Sequence, residues 1–442
     1  MKNKRTYRSV EVQTVEKARL LALLPATLVI VAIDVAKRKQ VAALGDPQGN
    51  HQLLVRFEHP RQTPQFMELM GGLVAEGKTV QVVMEPTGTY GDILCYEAHR
   101  RGAEVYQISP KRTHDAAEVF DGVPSYHDAK DATVIARLHA QGVSRRWQPA
   151  DEERREIRAL VARREIHARQ REVLYGELEA VLARHWPEVQ EVLDFRHSHS
   201  ALRLLVDYPD PRQVAQAGEA VKEMMERASR GMMSKEKLEE LVAGAERTQG
   251  VPLLAQEREL VRELGRELLR VKERIQQVEE QMEEKMEASP QMAKTAAFVG
   301  MMTLAVIHGY VGKPGGYSTA GALEKAMGLN LKEASSGEKS RRGLHITKRG
   351  PGIVRKYLYL ATLRWVQKDP IAAAWYQRRR GYTEETKGRA VVALMRKLVR
   401  GIWHLSRGAD YQAERLFDVK RLKPVPLARK GQGAEASSEV TM

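Results

Sequence analysis

The sequence predicts an α/β domain at its N-terminal end and a mainly helical remainder, and three observations carry that reading. Short apolar, β-branched runs alternate with helix-like segments from about residue 27 to 150. A long, charged, helix-periodic stretch starts at residue 151, and an apolar seam with alternating steps of three and four runs from Val261 to Met282. Five strands and their helices can be taken in order. TLVIVAID is a continuous apolar run of the kind a central strand shows when both its faces are covered. QVAALGD and HQLLVRFEH follow as strands two and three, with Asp46, Pro47, Gly49 and Asn50 marking the turn between them. TPQFMELMGGLVAEG reads as a helix, TVQVVME as a strand, GDILCYEAHRRG as a helix and AEVYQIS as the fifth strand; HDAKDATVIARL starts a further helix. The order β-β-β-α-β-α-β-α is that of the ribonuclease H-like fold.

Ahead of that domain, residues 1–26 form a basic arm. The apolar run from Leu20 to Ile33, behind Lys2, Lys4, Arg5, Arg8, Lys17 and Arg19, imitates a signal peptide. Pro25 interrupts it, no small-residue cleavage site follows, and it is short of the ~18 apolar residues of a membrane span, so neither export nor a membrane partner is expected.

At 442 residues the chain has room for about three domains, and 43% hydrophobic residues suffice for real cores. Lys plus Arg less Asp plus Glu is 72 − 57 = +15, which points to a polyanionic partner, most simply nucleic acid. A single cysteine, Cys95, excludes an internal disulfide framework and a Cys-rich zinc site, and fits a reducing cytosol.

The helical part divides into a connector, residues 151–290, and a mainly α C-terminal domain, residues 291–420, with a tail at 421–442 whose composition predicts disorder. The first connector helix ends naturally at Trp186-Pro187, and residues 187–250 look like a small helical insertion. Val261, Leu264, Leu268, Val271, Ile275, Val278 and Met282 make an a/d seam about three heptads long, enough for a coiled coil. The seam serves equally for dimerisation or for packing within the chain against the helix at 151–186.

Four carboxylates carry the chemistry: Asp34 ends the first apolar run, Glu85 ends TVQVVME, and Asp128 and Asp131 lie three apart at a helix start. Acids at strand ends are costly unless paired or coordinated. In the order above, the strands bearing Asp34 and Glu85 become neighbours, and Asp128 and Asp131 share a helix face that could close the site. Such an oxygen cluster suits a hard divalent cation. Two ions about 4 Å apart would activate an attacking oxygen and stabilise a leaving one in phosphodiester chemistry. Pairing with Lys37, Arg38 or Lys130 is the structural alternative.

A second cluster lies far downstream. In SSGEKSRRGLHITKRGPG and the helix start after it, seven Lys or Arg (Lys339, Arg341, Arg342, Lys348, Arg349, Arg355 and Lys356) follow the single acid Glu338. A polar, glycine-punctuated loop with that charge suits contacts to DNA or RNA phosphates. A serine hydroxyl there needs outside activation to act as a nucleophile. On the residues alone, Ser335, Ser336 and Ser340 are equal candidates. The aromatics Tyr357, Tyr359, Trp365, Trp375, Tyr376 and Trp403 sit at helical spacing and read mostly as core.

VAIDVAKRK, VVMEPTGTY, HDAKDATVIARL and MGLNLKEASSGEKSRRGLHITKRGPGIVRKYLY together resemble the DEDD-type transposases of the insertion-sequence-110 family. The resemblance covers nearly the whole chain apart from arm, insertion and tail. It implies a RuvC-like catalytic domain at residues 27–150, a coiled-coil connector and a small transposase domain. It further implies a recombinase guided by a structured bridge RNA that pairs with donor and target DNA, working as a homo-oligomer (dimer or tetramer) in the cytoplasm on the nucleoid. Asp34, Glu85, Asp128 and Asp131 match the family's acids and would hold Mg2+, with Mn2+ as substitute. Ser336, the serine directly before glycine, matches the family's nucleophile. Three departures stand out: His127 occupies the place before Asp128 where relatives carry Thr after a basic residue, residues 187–250 exceed a minimal connector, and the glycine motif opening the last domain is reduced to FVGMMTLAV. A RuvC-like endonuclease or junction resolvase using water, and a non-catalytic nucleic-acid scaffold, are the competing functions.

Overall fold

A computed structural model describes residues 7–86, 88–120, 122–123, 127–286, 289–332, 335–336, 339–340 and 345–422. The chain forms two compact units, residues 1–150 and 151–442. The tail expected at 421–442 and the start of the N-terminal arm fall almost wholly outside the described residues.

In the first unit the strands are β1 (Val10–Glu11), β2 (Leu28–Asp34), β3 (Lys39–Gly45), β4 (His51–Glu58), β5 (Thr79–Met84), β6 (Glu104–Gln107) and β7 (Arg145–Arg146). The helices are α1 (Lys17–Leu23), α2 (Thr63–Ala75), α3 (Asp92–Arg100), α4 (Pro110–Asp115) and α5 (Asp128–Ala140). They build one sheet in the order β1-β4-β3-β2-β5-β6-β7. Strands β2, β3 and β4 form an antiparallel meander, while β5 joins β2, and β6 joins β5, in parallel. Such a mixed sheet, with helices on both faces, is consistent with a ribonuclease H-like fold.

Period-two alternation explains the layering. Val29, Val31 and Ile33 of β2 and Val80, Val82 and Met84 of β5 enter one core with Phe66, Met70 and Leu73 of α2 and Leu94 and Cys95 of α3. Ile30 and Ala32 of β2 and Val83 of β5 enter the opposite core with Ala132, Ile135 and Ala136 of α5. Both faces are dry, which is why TLVIVAID shows no polar alternation. Each fully buried Val or Ile contributes roughly 1.5–3 kcal/mol, so β2 is the stability axis of this unit.

The arm is more structured than its sequence suggests. Val10–Glu11 adds a parallel strand to β4 at the sheet edge. The apolar run assigned to the arm and first strand breaks into two elements: α1 buries Leu20 against the α2 side of the sheet, and the chain then turns at Pro25 into β2. Pro25 ends the helix because a helix stops at or before the residue preceding proline.

The second unit consists of α6 (Glu152–His185), α7 (Val189–Val192), α8 (His199–Asp207), α9 (Pro211–Ala217), α10 (Glu219–Ala228), α11 (Lys235–Glu246), α12 (Ala255–Met286), α13 (Pro290–Val299), α14 (Met301–Val311) and α15 (Ala320–Ala326). The strands β8 (Leu331–Lys332), β9 (Ser335–Ser336), β10 (Lys339–Ser340) and β11 (His345–Ile346) follow, then α16 (Gly352–Lys368), α17 (Pro370–Arg379), α18 (Glu384–Leu405) and α19 (Ala413–Leu416). Helices α6 and α12 run antiparallel, tied by Lys285 to Glu156, by Arg164 Nε to Glu279 at 2.9 Å and by Arg163 to Gln281 at 3.3 Å.

The seam on α12 is covered within the chain. Val261, Leu264 and Leu268 pack with Leu178 and Leu182 of α6 and Leu202 and Leu205 of α8, while Val278 and Met282 pack with Ile157, Leu160 and Val161. Residues 187–250 supply α7 to α11, whose apolar faces close the core around one end of the α6–α12 pair. Among the described residues no single helix is long and apolar enough to cross a membrane; α13 and α14 reach that hydropathy only as a pair bent by 115°. Gly300, at φ +89, makes the bend, and Val299, Leu304 and Ile307 around it lie in the core with Leu358 of α16 and Leu398 of α18.

The loop expected between Ser335 and Gly352 differs from its sequence reading in one respect. It contains the antiparallel pair β9 with β10, and its β11 pairs antiparallel with β8 just ahead of it. Ser336 pairs in register with Lys339, and Ser335 with Ser340. Strand pairing answers the backbone donors that a polar loop of this composition leaves to water.

Candidate active site

Strand parity puts the first two acids on one face. Asp34 continues the Ile30–Ala32 series, which faces α5, and Glu85 continues Gln81–Val83 on the same side. Strands β2 and β5 are parallel and register Ile33 against Met84, so the next residues in each strand, Asp34 and Glu85, emerge together at the C-terminal edge. Helix α5 crosses that face with Ala129, Ala132 and Ala136 toward the sheet, and these small side chains let its axis approach β2 closely.

Asp128 and Asp131 both occupy the first turn of α5. The exposed N–H groups and the positive end of the helix dipole favour acids there by about 0.3–1 kcal/mol. His127 caps the helix, its Nδ1 accepting the Lys130 N–H at 3.2 Å, so this histidine does the work a Ser, Thr or Asp side chain does at most helix starts. Lys130 is buried and donates to the Val123 carbonyl.

The electrostatics record the crowding. Burial, followed by repulsion from Asp131, Asp128 and Glu85, pushes the Asp34 carboxyl from 3.8 up to about 7. Burial also raises Glu85; the Thr113 hydroxyl draws it back and Asp131 raises it again. That hydroxyl is buried and has no hydrogen-bond partner of good geometry. Asp131 is raised by burial and by Asp128, with His127 and Lys130 opposing. Among the described residues none of the four carboxylates makes an ion pair, and the net shift on Asp34 stays upward, so neither Lys37, Arg38 nor Lys130 neutralises the cluster.

An all-oxygen, electron-rich donor set with excess negative charge fits a hard divalent cation. As they stand, the carboxylates lie within Coulomb range without converging to coordination distance: among the described residues no three His, Cys, Asp or Glu side chains do so.

One positioning residue escaped the sequence reading. Gln40 of β3 is fully buried; its side chain receives the Ala36 N–H at 2.9 Å and donates back to the Ala36 carbonyl. This clip fixes the chain two residues beyond Asp34. Its signal in the sequence is a glutamine at a core position of QVAALG.

In the second unit Ser336 ends β9, and Lys339 begins β10. Arg341 and Arg342 lie outside the described residues. Lys348 and Arg349 are exposed, on a turn built from backbone contacts: the Lys348 N–H donates to Gly328 O at 3.0 Å, and a Cβ on Gly328 would meet Arg349 N at 2.8 Å. Lys348 itself adopts φ +55. Arg355 and Lys356 are otherwise engaged. Arg355 donates to the carbonyls of Gly350 at 2.7 Å and Met327 at 3.3 Å. Lys356 pairs with Glu165 at 2.8 Å beside the buried Tyr357 hydroxyl, which also donates to Glu165. Burial works to raise Glu165, and the hydrogen bonds from Lys356 and Tyr357 outweigh it to leave its carboxyl low. Tyr357 and Trp365 are core residues, as their spacing suggests.

Comparison with known proteins fits both units. Residues 31–187 match a transposase model for the DEDD transposases of IS110, and residues 292–377 match the model of the transposase IS116/IS110/IS902 family. An insertion element IS110 protein of 43.6 kDa from Streptomyces coelicolor is 23% identical over 395 residues, which span 88% of this chain and 96% of that protein. Pilin gene-inverting proteins of Moraxella bovis and Moraxella lacunata are 32% and 30% identical over 108 and 92 residues, a quarter or less of this chain and about a third or less of theirs. Fold and relatives together define an enzyme of DNA strand cleavage and transfer, a transposase or recombinase. The chain belongs to the IS110 transposase family.

Proposed function

We propose that this transposase cuts and rejoins donor and target DNA under the guidance of a structured bridge RNA, using Asp34, Glu85, Asp128 and Asp131 as a metal-binding cluster and Ser336 as nucleophile. The placement of Asp34 and Glu85 at one sheet edge, with Asp34 within Coulomb range of Glu85, Asp128 and Asp131, is the observation that carries the reading. A divalent cation such as Mg2+ or Mn2+, when bound there, supplies Lewis-acid stabilisation for charge on phosphate oxygens.

The chain's own residues carry the exchange. The Ser336 oxygen attacks the scissile phosphorus; a Ser Oγ–P ester forms as one P–O bond to deoxyribose breaks, and the released sugar hydroxyl takes up the proton. Reversal with a hydroxyl from the other duplex frees the serine and joins the strands, so bond energy is conserved through the exchange. Lys348 and Arg349, exposed on their backbone turn, neutralise phosphate charge. The net charge of +15 suits an assembly with both RNA and DNA. Further parts of the proposal are assembly as a dimer or tetramer, a coiled-coil role for the α6–α12 pair, and work on the nucleoid in the cytoplasm.

Trapping tests this reading. Purified protein, the transcript of the noncoding DNA flanking its gene, and donor and target duplexes are expected to give a protein–DNA adduct that Ser336→Ala abolishes. An adduct and strand joining that persist in Ser336→Ala overturn the serine assignment and leave water attack by a RuvC-like nuclease. Unchanged activity in Asp34→Ala, Glu85→Ala and Asp128→Ala removes the metal cluster from the mechanism.

A further inference from the structure

A groove of about 740 Å³ lies in the second unit between the β8–β11 pair and the start of α18. Its floor is apolar, formed by Leu331, Ile346 and Val392. Four cations, Lys348, Arg379, Arg389 and Arg396, also line it, against one acid, Glu385. Arg389 pairs with Glu385, and Arg396 with Glu324 outside the groove. Arg379 lies 5.4 Å from the Trp375 ring centre. Neither Lys348 nor Arg379 makes an ion pair among the described residues.

Arg379 and Glu385 both line the groove, and Tyr382, in the turn of the chain between them, is 102% exposed. A large apolar ring held wholly in solvent loses the burial energy it would have elsewhere, and here the turn that holds it is built rather than loose. Gly381 adopts φ +58, and a Cβ there would come within 2.7 Å of Thr386 Oγ1. Thr383 and Thr386 form a reciprocal capping box at the start of α18. The backbone on both sides of Tyr382 is thereby fixed, and the ring is presented outward.

Cations beside an apolar floor, with an exposed aromatic in the adjoining turn, match a polynucleotide strand whose bases are unpaired. Phosphates meet the Lys and Arg side chains, base faces meet the floor, and one base stacks on the ring. A duplex hides its base faces and would leave the floor uncovered. The two strands that frame the groove, β8 and β11, are also the strands between which the segment bearing Ser336 runs in the chain. We infer that this groove holds an unpaired stretch of the DNA strand that is cut or joined, with Tyr382 as its stacking platform. The choice of DNA rests on the recombinase reading above.

The test uses full-length protein and fluorescence anisotropy with a labelled single-stranded DNA oligonucleotide, its duplex and the RNA of the same sequence, at one stated salt concentration. Two variants perturb the groove independently. Tyr382→Ala removes the platform. Gly388→Trp fills the groove from a helical position where an added Cβ meets nothing within 4 Å. Both are expected to melt at the wild-type temperature, to weaken single-stranded DNA binding by about fivefold or more, the low end of base–aromatic stacking, and to leave duplex binding within about twofold. Tyr382→Trp is expected to retain the affinity. Wild-type single-stranded DNA binding in both variants overturns the inference, and so does a loss confined to RNA. The two readings separate cleanly: an adduct lost in Ser336→Ala with unaltered groove variants drops the groove alone. Weakened single-strand binding with an adduct that survives Ser336→Ala keeps the groove as a strand site and drops the serine.

Discussion

Replacing Asp34 by Asn in the metal-free protein is expected to stabilise the fold. The carboxyl is pushed from 3.8 to about 7 by burial and three neighbouring acids, so its ionised form is disfavoured in the native state. At about 1.4 kcal/mol per pH unit, that gap caps the cost near ~4 kcal/mol. Asp34 is only partly buried, and solvent screening brings the figure to roughly 1–2 kcal/mol. The sign follows from linkage. A carboxyl whose folded-state pKa is raised leaves stability intact below about 3.8 and erodes it as pH climbs toward about 7, after which the loss is constant. In EDTA at pH 8, Asp34→Asn therefore melts above wild type, by about 2–8 °C at the 2–4 °C per kcal/mol expected of a unit this size, and the difference vanishes near pH 4. Differential scanning calorimetry with EDTA and then with Mg2+ reads both halves: Mg2+ raises the wild-type transition and has little effect on the variant. An Asp34→Asn variant less stable than wild type in EDTA at pH 8 would refute the argument, because it would mean that the charge already has a partner.

Three other outcomes follow from particular contacts. Glu324 is 3% exposed and holds Arg396 and Arg400 at 2.9 Å each, so Glu324→Ala leaves two cations facing a buried site and is expected to cost about 3–5 kcal/mol, read by urea unfolding of the second unit. Gly328 sits at φ +73 with its missing Cβ 2.8 Å from Arg349 N; Gly328→Ala is expected to cost at least ~1–3 kcal/mol and to shift the amide resonances of residues 348–350. Lys348 and Arg349 are exposed, so the double change to Ala is expected to lower the salt slope of DNA binding by about 2 with little effect on melting; an unchanged slope removes them from the phosphate interface.

The first unit was legible because its signals are signals of burial. A strand with no polar residue from Leu28 to Ile33 has dry faces on both sides, and an acid at the end of such a strand breaks the pattern. Two such breaks, Asp34 and Glu85, then fall at one edge once β2 and β5 pair in parallel. The edge strands were not legible: β1 and β7 have two residues each and carry no periodicity to read. The histidine cap was invisible for another reason. His127 is a poor N-cap by composition statistics, and it serves because its Nδ1 happens to reach the Lys130 N–H. The seam on α12 was visible as a pattern, whereas its partner was not, since α6, α8 and a second chain all present leucines that could cover it.

Charge in a loop is harder still, because lysine and arginine leave the same mark in a sequence whatever they hold. Four of the seven basic residues between Glu338 and Lys356 can be followed as side chains, and they divide evenly. Arg355 braces two carbonyls and Lys356 answers Glu165 across to α6, so these two hold the domain together. Lys348 and Arg349 stand outward because Gly328 and Gly350 let two stretches of backbone press together beneath them. The glycines, rather than the count of cations, distinguish the two classes. A backbone turn that tolerates a lysine at φ +55 spends stability to aim a charge, and that expense makes sense where the charge meets a phosphate.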